Sequence, residues 1–112
     1  DEVTKIYVRN ILEKCGYGVW TVENGEQALE TLIKEGFDCI LMDIQMPVLD
    51  GIESTKKIRT LKGIYKDIPI IALTAYAMSG DKEKFLAAGM DDYVSKPIEK
   101  HELIRVIEKH IF

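Results

Sequence analysis

Apolar residues along this chain alternate between helical spacing and short unbroken runs. Val3, Ile6, Tyr7, Ile11 and Leu12 recur near every 3.6 residues, which predicts a helix over 3–14 that Gly16 stops. Val19 to Val22 is a short strand candidate, and Asn24-Gly25 supplies turn chemistry. Ala28, Leu29, Leu32 and Ile33 share a face of a helix over 26–35, with Gly36 as its C-cap. Residues 38–43 run through four apolar positions to an acid, Asp43, and predict a buried strand. A helix over 51–62 carries Ile52, Ile58 and Leu61. Ile68-Pro69-Ile70-Ile71-Ala72-Leu73 is a second apolar strand, its proline near the start, where it does least harm. A helix over 79–88 presents Phe85, Leu86 and Ala88 and ends at Gly89. Asp92 to Ser95 is a short strand, and the last helix, 99–111, turns Leu103, Ile104, Ile107 and Ile111 inward.

Strands alternating with helices imply a parallel sheet flanked by helices, and unbroken apolar strands imply burial on both faces. The fold class is therefore α/β and doubly wound. Such a unit normally starts with a strand; this chain starts with a helix and shows four strands where five are expected. No repeat, low-complexity segment or linker interrupts the pattern. At 112 residues the chain holds one domain and one core. Its 46% hydrophobic and 30% charged content fits an ordinary globular protein, and a net charge of −4 argues against non-specific nucleic-acid binding. No apolar run approaches the roughly 20 residues that span a membrane. The opening Asp1-Glu2-Val3-Thr4 has neither the basic nor the apolar region of a signal peptide. Cys15 and Cys39 form no Cys-x-x-Cys motif, so Cys39 reads as a small core residue and the expected setting is reducing and cytoplasmic.

Chemistry collects at the C-terminal tips of strands in open α/β sheets. Three tips here carry polar groups: Asp43, Thr74 after Ala72-Leu73, and Lys96 after Tyr93-Val94-Ser95. Taken singly, each is ordinary: an acid that caps a turn, a capping hydroxyl, a solvated cation. Taken together on three strands of one parallel sheet, they bring an acid, a hydroxyl and a cation to one crevice. That set suits phosphoryl transfer. A carboxylate can accept the group, an ammonium and a hydroxyl can stabilise its oxygens, and a hard divalent cation such as magnesium can stabilise the remaining charge. Asp91-Asp92, Glu83 and Lys84 read as solvated, His101 and His110 as lacking a partner at ligand spacing, and Trp20 as packing.

The chain resembles the receiver (response-regulator) domain family over nearly its whole length. Met42 to Gly51 is similar to the family's phosphoacceptor segment, Ile70 to Ala75 to its fourth strand with the switch hydroxyl, and Ala87 to Pro97 to its fifth strand. The resemblance implies a flavodoxin-like (βα)5 fold with strand order 2-1-3-4-5. It implies that Asp43 takes a phosphoryl group from a phosphohistidine on a histidine kinase or a histidine phosphotransfer domain. Thr74 and Lys96 would bind the phosphoryl oxygens, and Tyr93 would be the aromatic partner of the Thr74 switch. Asp43 and the Gln45 backbone carbonyl would face magnesium, with Gly51 and Pro97 in structural roles. The side chains of Gln45 and Tyr76 sit where the family tunes dephosphorylation. The wording around Met46-Pro47 and Ala75-Tyr76-Ala77-Met78 resembles receivers of hybrid sensor kinases and phosphorelays most. Such a domain catalyses only its own phosphorylation and dephosphorylation. Residues near 79–111 would form its output face, for an effector or a homodimer, without direct contact to nucleic acid or membrane.

One departure stands out. The family begins with a strand ending in an acidic pair that holds magnesium, and alignment places that pair just before residue 1, with Asp1 following it. That strand lies between the second and third strands, so its absence would leave backbone groups unpaired. Residues 1–112 thus read as a receiver domain lacking its first strand, and three explanations stay open: a trimmed chain, a strand from elsewhere, or a rearranged sheet. The departure motivates a competing function, a receiver-like interaction module that takes no phosphate. A third reading, a hydrolase of the haloacid dehalogenase kind, needs a second acid two residues after Asp43, where this chain has Gln45.

Overall fold

The computed structural model describes residues 2–20, 25–34, 36–44, 49–60, 67–75 and 81–112. Among the described residues five helices and three strands follow one another: α1 (Glu2–Lys14), α2 (Gly25–Lys34), β1 (Ile40–Ile44), α3 (Leu49–Arg59), β2 (Ile70–Thr74), α4 (Asp81–Ala88), β3 (Asp92–Ser95) and α5 (Lys100–Ile111), with strand and helix alternating from β1 onward. The strands form one parallel sheet in the order β1-β2-β3. Asp43 pairs with Leu73, and Thr74 lies between Ile44 and Ser95.

Local chemistry sets the helix ends. After α1, Gly16 takes φ +92, Gly16 N–H donates to Glu13 O at 3.1 Å, and Tyr17 N–H donates to Leu12 O at 3.0 Å. After α4, Gly89 takes φ +107 with the same pair of bonds, from Gly89 N–H to Leu86 O and from Met90 N–H to Phe85 O. Both are Schellman closures, which need the left-handed conformation that glycine adopts without a Cβ penalty. The Glu99 side chain caps α5 by accepting from Glu102 N–H at 2.8 Å.

The sheet is covered on both faces. Val8, Ile11 and Leu12 of α1 and Leu103, Val106 and Ile107 of α5 pack on one side, against Ile71, Leu73 and Val94. Leu32, Ile58 and Phe85, from α2, α3 and α4, pack on the other, against Ile70 and Ala72. Period-2 alternation makes this division, since successive strand residues face opposite sides. No helix among the described residues is long and apolar enough to cross a membrane.

Several sequence expectations need correction. Three strands are present among the described residues, not four. Val19 and Trp20 form no ladder, and Thr21 and Val22 lie outside the described residues. Ile40 to Asp43 of β1 are only partly buried, whereas every residue of β2 is buried. Among the described residues β2 has a neighbour on each side and β1 has one. In α1 the buried stripe is Val8, Ile11 and Leu12, while Val3 is 78% and Ile6 58% exposed. At about 100° per residue these two sets lie on different sides of the helix, and only one can face the sheet. Leu86 is likewise exposed, because Phe85 and Ala88 already occupy the inner face of α4. Gly36 does not take the positive φ of a left-handed cap. Trp20 is exposed and meets Phe37 edge-on, with ring centroids 5.5 Å apart. Asp38 and Cys39 precede β1, Leu61 lies outside the described residues, and the Lys96–Pro97 peptide is cis.

Candidate functional site

The C-terminal edge of the sheet gathers the polar residues. Asp43 stands near the end of β1, Thr74 ends β2, and Lys96 follows β3 directly. Lys96 N–H donates to Thr74 O at 2.7 Å, so the β2–β3 ladder continues to the lysine itself. The Lys96 Nζ reaches Asp43 Oδ1 at 2.5 Å, and the two side chains are only 16% and 15% exposed. A charge-assisted contact of this kind, largely out of solvent, is among the stronger polar interactions a protein makes. Burial pushes the Asp43 carboxyl up, hydrogen bonding and charge from Lys96 pull it down, and the balance leaves it below its ordinary value. Asp43 is therefore ionised at neutral pH, as a nucleophile requires.

Thr74 is fully buried and is one register step beyond Asp43. The pleat separates the two. Asp43 is level with Leu73 and Val94 on the face that carries α1 and α5, and Lys96 shares that parity. Thr74 shares the opposite face with Ala72 and with Tyr93, its diagonal neighbour on β3. The sequence placed acid, hydroxyl and cation at one crevice; the structure joins acid and cation directly and sets the hydroxyl beside Tyr93. Gly51 lies within α3 and Pro97 is exposed after β3. Gln45, Tyr76, Asp1, Met46, Pro47, Ala77 and Met78 lie outside the described residues.

Four residues read as bystanders have partners. Asp91 accepts from the Arg59 guanidinium at 2.8 Å and from Ile70 N–H at 2.9 Å. Asp92 opens β3, contacts His110 Nε2 at 2.9 Å and accepts from Tyr93 N–H at 2.8 Å. His101 Nδ1 lies 3.1 Å from Glu99 Oε1. The separations from Arg59 to Asp91 and from Asp92 to His110 are 32 and 18 residues, beyond any helical or strand spacing that a sequence pattern could reveal. Glu83 and Lys84 are exposed as expected.

The sequence signature described as the response regulator receiver domain matches residues 1–108. The chain belongs to this family. Similar proteins include hybrid signal transduction histidine kinase I of Dictyostelium discoideum, 46% identical over 110 residues that cover 93% of this chain and 6% of the kinase. The sensor protein GacS of Pseudomonas syringae pv. syringae is 42% identical over 106 residues, covering 93% of this chain and 12% of that protein. The chain thus spans a small fraction of these curated relatives. Among solved structures, the receiver domain of sensor histidine kinase PA1611 from Pseudomonas aeruginosa PAO1 superposes with a TM-score of 0.87 at 40% identity, over 99% of this chain and 90% of that one. Its crystal structure is described with magnesium coordinated in the active site cleft. The α/β, flavodoxin-like class expected from the sequence is the one these neighbours share, and family membership displaces the hydrolase reading.

The donor chemistry of this receiver suits such an ion in part. Asp43 offers the hard oxygen that magnesium prefers. Among the described residues no group of three or more His, Cys, Asp or Glu side chains could hold a metal ion. Asp43 supplies one donor, and the described residues do not complete the set.

Proposed function

We propose that this receiver domain is a phosphoacceptor in a two-component phosphorelay, with Asp43 as its acceptor. The observation that carries the reading is the ionised, largely buried Asp43 held against Lys96 at the sheet edge. A carboxylate oxygen of Asp43 attacks the phosphorus of a phosphohistidine; the P–N bond breaks as the new P–O bond forms, and the electron pair returns to the imidazole. Lys96 swings its ammonium from the carboxylate to a phosphoryl oxygen, and Thr74 donates its hydroxyl to another. As Thr74 moves, Tyr93 on the same face follows it inward, which makes the pair a switch. Asp43 would supply one oxygen to magnesium and, as the family resemblance implies, the Gln45 carbonyl another, and the ion would neutralise phosphoryl charge. Gly51, in the first turn of α3, and Pro97, after β3, have structural roles beside the site.

The partner is a histidine kinase or histidine phosphotransfer domain in the cytoplasm, and the resemblance to hybrid kinases supports a place within such a relay. The domain's chemistry is limited to its own phosphorylation and dephosphorylation. Its output surface, near residues 79–111, faces an effector or a second copy. Residues 1–112 form one receiver unit in which, among the described residues, no strand precedes α1. The side of β1 away from β2, where no strand pairs among the described residues, is where the order 2-1-3-4-5 puts the family's first strand, and the native protein's intact mass against 12.8 kDa tests whether further residues supply it.

The deciding experiment is labelling of the intact protein by a small acyl phosphate in magnesium. Wild type takes one acid-stable, base-labile phosphoryl group and Asp43→Asn takes none. Label on Asp43→Asn refutes the assignment, and a wild type that neither labels nor binds beryllofluoride supports the receiver-like interaction module instead.

A further inference from the structure

At the end of the sheet opposite Asp43, one guanidinium holds three segments together. Arg59, the last residue of α3, is 21% exposed at its side chain. Its Nη1 donates to Ile68 O at 2.6 Å, just before β2. Its Nε and Nη2 donate to Gly89 O at 2.8 and 2.6 Å, at the end of α4. Nη2 also donates to Asp91 Oδ2 at 2.8 Å, just before β3. The same carboxylate oxygen accepts Ile70 N–H at 2.9 Å, and Asp91 N–H donates to Ile70 O at 2.8 Å. Asp91 therefore grips both backbone groups of the first residue of β2.

This grip settles something the strands leave open. Ile70-Ile71-Ala72-Leu73 is apolar at every position, and Tyr93-Val94 is apolar on both faces. A one-residue slip between β2 and β3 would exchange Tyr93 and Val94, both apolar, between the two faces, so their hydrophobic pattern does not select the register, and the polar anchors at the start of β3, Asp91 on Ile70 and Asp92 on His110, do. A slip would nevertheless move β3 by about 3.3 Å and reverse its faces. Lys96 would then leave the face of Asp43. The pairing of Asp91 with Ile70 fixes Ala72 opposite Tyr93 and Thr74 opposite Ser95.

We propose that Arg59, acting through Asp91, is a positioning residue for phosphoryl transfer: it sets the β2–β3 register that presents Lys96 to Asp43. The proposal rests on the phosphoacceptor reading for its consequence, while its structural half stands apart from it. Arg59 touches no reacting atom and acts from roughly 13 Å away, four residues along β2.

The test uses the intact protein with Arg59→Met, which keeps the stem and removes the fork, Arg59→Lys, which keeps the charge, and Asp91→Asn. Folded fraction is measured by circular dichroism at the assay temperature. The first readout is the initial labelling rate with a small acyl phosphate in magnesium; the second is amide exchange at Lys96, whose N–H donates to Thr74 O. Where the variants are folded, labelling falls about ten-fold or more for Arg59→Met and less for Arg59→Lys. Lys96 exchange accelerates by about ten-fold, beyond any change at the centre of α5. A merely structural role lowers the melting temperature and leaves both readouts of the folded protein alone, and that result overturns the proposal. If Arg59→Met does not fold, wild-type rates and protection in Arg59→Lys and Asp91→Asn overturn it equally. If wild type itself takes no label, the phosphoacceptor reading fails, and the exchange data alone decide the register role.

Discussion

Replacing Lys96 with Met tests the electrostatics of the site directly. Methionine keeps most of the apolar stem and removes the ammonium that lies 2.5 Å from Asp43. Exposed ion pairs contribute about 0–1 kcal/mol, whereas removing one partner of a buried pair costs about 3–5 kcal/mol. With side chains 16% and 15% exposed, this pair falls between those limits, and a loss of about 2 kcal/mol is expected. An unfolding entropy of roughly 2.1 cal/mol/K per residue, scaled to this chain, converts that loss into a melting-temperature drop of about 8 °C. The cost belongs to the carboxylate left without its cation, so the Asp43→Asn background should remove most of it. A double-mutant cycle read by urea denaturation at neutral pH isolates the coupling. The deficit of Lys96→Met should also shrink as pH falls below the carboxylate range, because Asp43 is then neutral in both proteins. A loss of the same size with and without the Asp43 charge would refute the ion-pair account and leave only lost packing.

Three further outcomes follow from other parts of the fold. Gly89→Ala places a Cβ at φ +107, 3.1 Å from Arg59 Cγ, and should cost about 1–3 kcal/mol in urea denaturation; a near-neutral variant would mean that Gly89 and Arg59 relax freely. Burial pushes the Cys39 thiol up to about 12 while Cys15 is exposed, so native protein at pH 8 should alkylate at Cys15 alone, with Cys39 reacting after denaturation, as peptide mass spectrometry would read. Burial raises the Asp92 carboxyl, but hydrogen bonds from His110 and Tyr93 N–H hold it below its ordinary value. Its stabilising contribution is therefore complete above the usual carboxylate range and is lost as pH falls through the lower folded value. His110→Ala should flatten acid destabilisation measured by urea midpoints across that window, and an unchanged pH slope would remove Asp92 from the account.

Much of the site was legible because it is written in neighbouring residues. The unbroken apolar run before Asp43, the hydroxyl after Ala72-Leu73 and the cation after Tyr93-Val94-Ser95 each announce a strand tip within a few positions. Boundaries came within a few residues for the same reason: Gly16 and Gly89 end their helices by a local conformational need. Other features were not legible. The apolar spacing in α1 does not say which side meets the sheet, and Val3, Ile6 and Tyr7 fit a helix as well as the stripe that is buried. Asp91 and Asp92 look like solvated acids until Arg59 and His110 arrive from distant helices.

The sequence by itself thus determined the kind and order of elements, the parallel α/β class and the identity of the polar groups at the strand tips, because periodicity and turn chemistry act over one or two turns of chain. Only the tertiary structure decided how those groups are shared between the two faces of the sheet. Register puts Asp43 with Lys96 and Thr74 with Tyr93, and register depends on contacts between segments far apart in the chain, such as the grip of Asp91 on Ile70, that no local pattern encodes.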